Sequence, residues 1–172
     1  MDKRRWIVAL LLTVVVMAGI VGVGLAANAK FEADLSGDHE VPIVLTTAEG
    51  EATFKLSKDG KSLNYKLQVH DIQNVTMSHI HLAPTGVNGP VVAWLYPAQP
   101  PAQLIPGESN GVIAKGTLTK ANLVGPMAGK EIADLVAAIQ AGNAYVNVHT
   151  SAHPAGEMRG QVHGPDDEGH DD

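Results

Sequence analysis

The sequence predicts a mainly β fold, an antiparallel β-sandwich with one short inserted helix. Short segments in which apolar and polar residues alternate recur along the chain, and turn residues rich in Gly, Pro and Asn separate them. Only one segment has the period of an amphipathic helix. The part of the chain that carries this pattern, residues 30–163, is long enough to bury a core between two packed sheets.

The clearest strand pair lies in the first half of this segment. Residues 52–56 and 63–70 each place apolar side chains on one face and polar side chains on the other. Between them, Asp59 and Gly60 form the centre of a turn, so the two runs predict a β-hairpin. Residues 31–35 precede the hairpin and predict the first strand.

The rest of the segment predicts further strands and the helix. The helix is expected at about residues 130–140, where apolar residues follow the i, i+3, i+4, i+7 spacing, and Gly142 can end it. Two loops rich in Pro and Gly, residues 84–90 and 97–111, are expected between strands. The predicted strands are residues 75–82, 91–96, 111–118, 144–150 and 157–162.

Both ends of the chain are expected to lie outside the domain. Residues 1–29 combine a basic start, an uncharged apolar run over 6–25 and an Ala-Asn-Ala tripeptide of the kind that signal peptidase reads. Because the apolar run is also long enough to cross a bilayer, the segment is predicted to be a signal peptide or an N-terminal membrane anchor. Both alternatives place the domain outside the cytoplasm. Residues 164–172 predict an acidic disordered tail.

The composition excludes several classes of protein. The chain has no cysteine, which excludes disulfides, thiol catalysis and thiolate metal sites. Residues 30–172 carry 9 basic and 17 acidic residues without a basic patch, so nucleic acid is not an expected partner. The sequence also lacks a Gly-x-Ser-x-Gly motif, a phosphate-binding loop and a His-Glu-x-x-His motif. It therefore favours a binding protein over an enzyme.

Three histidines fall on one face of two predicted strands. His79 and His81 share a parity in the strand 75–82, and His149 has the polar parity of the strand 144–150. Three neutral imidazoles suit copper or zinc with an open coordination position. His-x-His alone is a weak motif, and the third histidine at a fixed position strengthens it.

The same strand parity adds Asn147, Glu157 and Arg159 to the polar face. The alternative to a metal site is therefore a solvated or hydrogen-bonded network that holds the loops. An ion pair between Glu157 and Arg159, and an Asn147 side chain bonded to the backbone, would be typical of that network. The residues alone leave both alternatives open.

A second functional hypothesis concerns the two loops. Asn88 lies in the loop 84–90, and Trp94 and Tyr96, expected to be exposed, lie beside the loop 97–111. Such residues suit recognition of an extracytoplasmic protein or surface component whose identity the sequence does not give. A membrane is expected as a partner only through residues 6–25, if that segment is not cleaved.

Four segments carry a family resemblance that covers residues 30–163. They closely resemble the CHRD domain, a module named for chordin and found in bacterial secreted proteins. The resemblance implies an extracytoplasmic β-sandwich and little about function, because bacterial members generally lack an assigned activity. The segments are Phe31-Glu32-Ala33-Asp34-Leu35-Ser36-Gly37, Ser78-His79-Ile80-His81-Leu82, Tyr145-Val146-Asn147-Val148-His149-Thr150 and Gly156-Glu157-Met158-Arg159-Gly160-Gln161-Val162.

The resemblance adds an expected type of β-sandwich to the functional hypotheses. The β-sandwich is expected to be immunoglobulin-like or superoxide-dismutase-like, and its His-x-His strand is similar to that of copper–zinc superoxide dismutase, although a second metal site has no counterpart here. Such a likeness of fold does not establish an activity. The sequence thus predicts a non-enzymatic extracytoplasmic binding module. The alternative is a copper or zinc protein, with redox chemistry as one form, that uses His79, His81 and His149.

Overall fold

The computed structural model describes residues 28–164. Eight strands, one α-helix and three short 3₁₀ turns make up the described secondary structure. The 3₁₀ turns are Gly37–His39, Lys120–Asn122 and Gly125–Met127. The strands and the helix are β1 (Lys30–Ser36), β2 (Glu49–Leu56), β3 (Ser62–Gln73), β4 (Val75–Leu82), β5 (Val91–Tyr96), β6 (Glu108–Thr119), α1 (Ile132–Gln140), β7 (Ala144–Thr150) and β8 (Met158–Gln161).

The strands form one antiparallel sheet in the order β5-β4-β7-β8-β1-β2-β3-β6. We call β5, β4, β7 and β8 the β4–β7 half, and β1, β2, β3 and β6 the β2–β3 half. The sheet folds over until its two edges approach, and the hydroxyl of Tyr65 on β3 donates to the carbonyl of Leu95 on β5 at 2.8 Å. The nearly closed sheet confirms the predicted antiparallel β-sandwich with one short helix.

The core lies between the two halves. Leu67 and Val69 of the β2–β3 half and Ile80, Val146 and Val148 of the β4–β7 half are fully buried in it. Burying side chains of this size contributes about 1.5–3 kcal/mol each. The helix adds its apolar stripe to the same core through Ile132, Leu135, Val136 and Ile139.

The two halves join at a narrow seam between β8 and β1. In the ladder Ser36 pairs with Arg159, and a separate bridge pairs Glu32 with His163. A Cβ atom on Gly160 would lie 2.2 Å from the carbonyl oxygen of Asp34, so only glycine permits this close approach of the strands. The seam thereby places Arg159 beside the segment that follows β1.

The local predictions agree with the structure apart from some element ends. The β2–β3 hairpin is confirmed, and its turn is stabilised by the Asp59 carboxylate, which accepts from the Lys61 backbone N–H at 3.1 Å. The helix begins at residue 132 instead of 130, because Glu131 is its N-cap residue and donates its backbone N–H to Asp134. Gly142 follows the helix with a φ of 68°.

The loop predicted at 97–111 is shorter than expected. Residues 108–111 belong to β6, which pairs with the end of β3 after an irregularity between Val69 and Ile72. Asp71 has a φ of 52° there, and its backbone N–H donates to Asn110 at 2.9 Å. The irregularity lets pairing continue beyond the point where strict alternation ends in the sequence.

The predicted signal peptide or anchor and the predicted acidic tail lie outside the described residues, except for residues 28, 29 and 164. Within residues 28–164 no helix has both the length and the apolar character that crossing a membrane requires.

Candidate metal centre

The polar face of the β4–β7 half is buried. Every residue of β7 is buried, on both faces of the strand, so a solvated polar face is excluded. Three loops cover this face: residues 37–48, 83–90 and 151–156. Polar side chains under such a cover must find their partners within the protein.

Strand register brings the three predicted histidines together. His79 on β4 lies between Trp94 on β5 and Asn147 on β7, and His149 lies two residues further along β7, opposite Met77. His79, His81 and His149 are 3%, 9% and 6% exposed. One ring nitrogen from each can be chosen so that all three lie within 4.8 Å of one another.

Backbone carbonyls fix the tautomers of two of the rings. Nδ1 of His81 lies 2.8 Å from the carbonyl oxygen of Gly89, and Nδ1 of His149 lies 3.1 Å from that of Pro154. Because a carbonyl oxygen only accepts, each Nδ1 carries the proton and each Nε2 presents a lone pair. Histidines that bind metals in proteins are commonly held in this way.

The third ring faces one of these lone pairs. Nδ1 of His79 lies 3.2 Å from Nε2 of His149. Two imidazole nitrogens bound tetrahedrally to one zinc ion are about 3.3–3.4 Å apart, so this pair is already at ligand spacing. A purely hydrogen-bonded network leaves Nε2 of His79 and Nε2 of His81 buried without partners. Each unsatisfied polar atom costs about 1–3 kcal/mol.

All three imidazoles are neutral at neutral pH. Burial, followed by the charges of His149 and His81, lowers the pKa of His79 to about 3. Burial, followed by the charge of His81, lowers the pKa of His149 to about 4. Burial also lowers the pKa of His81, and the charge of Arg159 adds to the effect. Neutral imidazole is the form that binds a metal.

Two aromatic side chains pack against the histidines. The ring of Trp94 lies edge-on to His79, with centroids 4.2 Å apart. Tyr145 stacks on His81 at 4.8 Å and an interplanar angle of 13°. The Gly89 peptide links the stacked pair, because its N–H donates to the Tyr145 hydroxyl and its carbonyl accepts from His81.

A family model of the CHRD domain matches residues 31–162. The chain belongs to the CHRD domain family. The match runs from β1 past the end of β8, so it contains both halves of the sheet and all three histidines. A comparison with curated proteins found no match.

Arg159 fastens one of the covering loops of the CHRD domain. Its guanidinium donates to the carbonyls of Val87 at 2.9 Å and Pro84 at 3.3 Å, and to the side-chain oxygen of Asn88 at 3.2 Å. It also lies over the Tyr145 ring, 3.5 Å from the ring centroid. The ion pair between Arg159 and Glu157 that would be typical of a loop-holding network does not form, because these neutral oxygens occupy the guanidinium.

Glu157 and Asn147 hold the loop 37–48. The Glu157 carboxylate accepts from Thr46 at 2.8 Å and from Thr150 at 2.6 Å. The Asn147 amide donates to the Glu40 carboxylate at 3.4 Å, and not to the backbone as would be typical of a loop-holding network. Glu40 is buried, and burial raises its pKa. Sequence reasoning missed Glu40, because the irregular loop that carries it has no strand parity to indicate its direction.

The three residues predicted to recognise a partner do not form one exposed surface. Asn88 is exposed, but its amide is occupied by Arg159 on one side and by the Val41 carbonyl on the other, at 2.8 Å. Trp94 and Tyr96 are half-buried, so the expectation that they are exposed is wrong. Cross-strand register pairs Trp94 with His79 and assigns it to the histidine cluster.

Proposed function

We propose that this CHRD domain is an extracytoplasmic metal-binding module that holds copper or zinc through His79, His81 and His149. One observation carries the proposal: three buried, neutral imidazoles converge from two adjacent strands, and backbone carbonyls orient two of their lone pairs. CHRD domains are generally extracellular, which agrees with the location expected from the sequence.

In this arrangement the three ligands are oriented before the metal binds. The two strands fix the direction of all three rings, and the carbonyls of Gly89 and Pro154 fix two tautomers before any ion arrives. A preorganised site binds more tightly, because ordering the ligands requires less free energy at the moment of binding. Three protein ligands also leave a coordination position open.

The partner-binding hypothesis has less support from the geometry. Asn88 holds Arg159, and Trp94 packs on His79, so both have structural roles that account for them. Recognition of an extracytoplasmic protein or surface component through these loops stays a prediction.

Metal analysis tests the proposal. We expect purified protein, loaded with copper or zinc and then desalted, to retain about one ion per chain, and His81→Ala and His81→Gln to retain far less. His70→Ala is the matched control, because His70 is exposed on β3 of the other half of the sheet. Its metal content should equal that of the wild type. Near-zero metal in wild-type protein that is shown to be folded, after loading with Zn²⁺, with Cu²⁺ and, anaerobically, with Cu⁺, would refute the proposal.

A further inference from the structure

We infer that the three-histidine site prefers the cuprous ion, Cu⁺, to the divalent ions Zn²⁺ and Cu²⁺. The inference rests on the proposed function, since it concerns which ion the same site selects. Neutral ligands, burial, a buried positive charge nearby and a soft side chain on the same face all favour a monovalent, soft ion.

The ligands bring no negative charge. Within residues 28–164 no carboxylate oxygen lies within 4.0 Å of a ring nitrogen of His79, His81 or His149. Neither carboxylate on this face is a ligand. Both oxygens of Glu157 accept from threonine hydroxyls. Glu40 accepts from Asn147 through Oε2, and its Oε1 has no hydrogen-bond partner in the described part of the chain, but neither oxygen lies within 4.0 Å of a ring nitrogen of the three histidines. An ion bound by the three imidazoles therefore keeps its full charge inside the protein.

Because the site is buried, the charge of a bound ion strongly affects the free energy of binding. The three histidines are 3–9% exposed, so an ion between them loses most of its contact with water. The electrostatic penalty of desolvation grows with the square of the charge, so it is roughly four times as large for a dication as for a monocation. Divalent sites commonly reduce this penalty with carboxylate or thiolate ligands, and this site has neither.

Arg159 adds to the discrimination. Its guanidinium lies on Tyr145, which stacks on His81, and its charge acts on His81 directly. Arg159 is 2% exposed, and within the described residues its hydrogen-bond acceptors are neutral oxygens. Repulsion between this cation and a bound ion is proportional to the charge of the ion, so it disfavours Zn²⁺ and Cu²⁺ more than Cu⁺.

Met77 places a soft side chain on the same face. It lies opposite His149 in the β4–β7 register, has the strand parity of His79 and His81, and is half-buried. Directly opposite residues have Cβ atoms about 4.5–5.5 Å apart. Thioether sulfur is a ligand that selects Cu⁺, whereas Zn²⁺ with three imidazoles takes water or substrate as a fourth ligand.

Competition titrations test the preference. Cu⁺ is titrated anaerobically against a chromophoric Cu⁺ chelator, and Zn²⁺ and Cu²⁺ against chelators of known affinity. We expect Cu⁺ to bind at least 100-fold more tightly than either dication. The reduction potential of bound copper should then lie above that of aqueous copper by about 59 mV for each tenfold preference for Cu⁺ over Cu²⁺. Tighter binding of Zn²⁺ or Cu²⁺ would overturn the inference and leave the metal site itself intact. Binding of none of the three ions would instead refute the proposed function.

A three-protein series identifies the cause. Met77→Gln removes the thioether without adding charge, and Met77→Glu adds a carboxylate to a side chain of the same length. The ratio of Cu⁺ to Zn²⁺ affinity is expected to fall in Met77→Gln and by at least a further tenfold in Met77→Glu. Because Met77 is half-buried, both variants are expected to fold, and circular dichroism checks this. An equal ratio in all three proteins would overturn the argument from charge and softness.

Discussion

The outward faces of the two halves of the sheet differ although their sequences alternate in the same way. In β3, buried core residues alternate with exposed or half-buried ones such as Asn64, Lys66 and Gln68. In β7, the residues of both parities are buried. The difference arises outside the strands, because three loops cover the β4–β7 half and leave the outer face of the β2–β3 half open.

On the open face water solvates the charged and polar side chains, whereas on the covered face other protein groups must provide their partners. On the open face Lys30 lies opposite Lys55, and Lys66 lies opposite Lys115, which is tolerable because water and salt screen like charges. On the covered face Arg159 has three oxygen acceptors and an aromatic ring. Sequence alternation therefore identifies a polar face, and the cover decides whether that face becomes a site.

A fall in pH should destabilise the protein mainly through the covered face. In metal-free protein, His79 and His149 have folded-state pKa values of about 3 and about 4, below the unfolded value of 6.5. The unfolded state therefore binds more protons below pH 6.5, and stability falls as the pH falls from there toward the folded pKa values. Together the two groups should remove roughly 5 kcal/mol between pH 7 and pH 4.5. Urea denaturation at a series of pH values measures this loss.

His149→Gln separates the histidines from the other groups that titrate. The loss of stability of this variant over the same pH range should be about 2 kcal/mol smaller than that of the wild type. The raised pKa of Glu40 acts in the opposite direction, because protonated Glu40 stabilises the fold as the pH falls through that pKa. An unchanged loss in His149→Gln would show that the buried histidines do not control acid stability.

Replacing a cation by methionine should destabilise the protein much more on the covered face than on the open face. Arg159→Met leaves the carbonyls of Pro84 and Val87 and the side chain of Asn88 without their donor. We expect the free energy of unfolding to fall by about 3 kcal/mol. Lys66→Met, the same exchange on the open face, should change it by no more than about 0.5 kcal/mol. Equal effects in urea denaturation would contradict the distinction between the faces.

Much of the fold could be predicted because its signals are local. The Asp59-Gly60 turn, the alternation in β2 and β3 and the apolar stripe of α1 each span only a few residues. Strand ends were less predictable where pairing depends on distant residues. The extension of β6 back to Glu108, for example, follows from its partner on β3 and the positive φ of Asp71.

The candidate site could be predicted only in part, for the same reason. The alternation of side chains placed His79, His81 and His149 on the polar faces of their strands. The pairing of β4 with β7 then brought the three side chains together. The partners of Arg159 and Glu157 lie in irregular loops, which have no period from which a direction can be read. The role of Trp94 follows from its register with β4, which the sequence does not specify.

Gly156 tests how tightly the cover fits. It has a φ of 133°, and a Cβ atom there would lie 2.5 Å from both the Asn147 side-chain oxygen and a Glu40 carboxylate oxygen. Gly156→Ala should therefore lower the free energy of unfolding by about 2 kcal/mol or more. Gly60, in the β2–β3 half, also has a positive φ, but a Cβ atom there would meet nothing within 4 Å. Gly60→Ala should therefore lower the free energy of unfolding by only about 1 kcal/mol. A smaller loss for Gly156→Ala than for Gly60→Ala, measured by thermal unfolding, would mean that the loop moves away freely.

The smallest expected effect comes from the open face, where repulsion between two lysines that lie opposite each other should lower the stability only slightly. Lys66 lies directly opposite Lys115, so Lys66→Glu converts a like-charge pair into an opposite-charge pair. Stability should rise by about 0.5 kcal/mol at low salt, and most of the gain should disappear at about 1 M salt, where the Debye length is about 3 Å. Lys66→Gln, which removes the repulsion without adding attraction, should fall between the two proteins in urea denaturation at low salt. A gain of several kcal/mol that survives high salt would instead mean that this pair is shielded from water, and the contrast between an open and a covered face would fail.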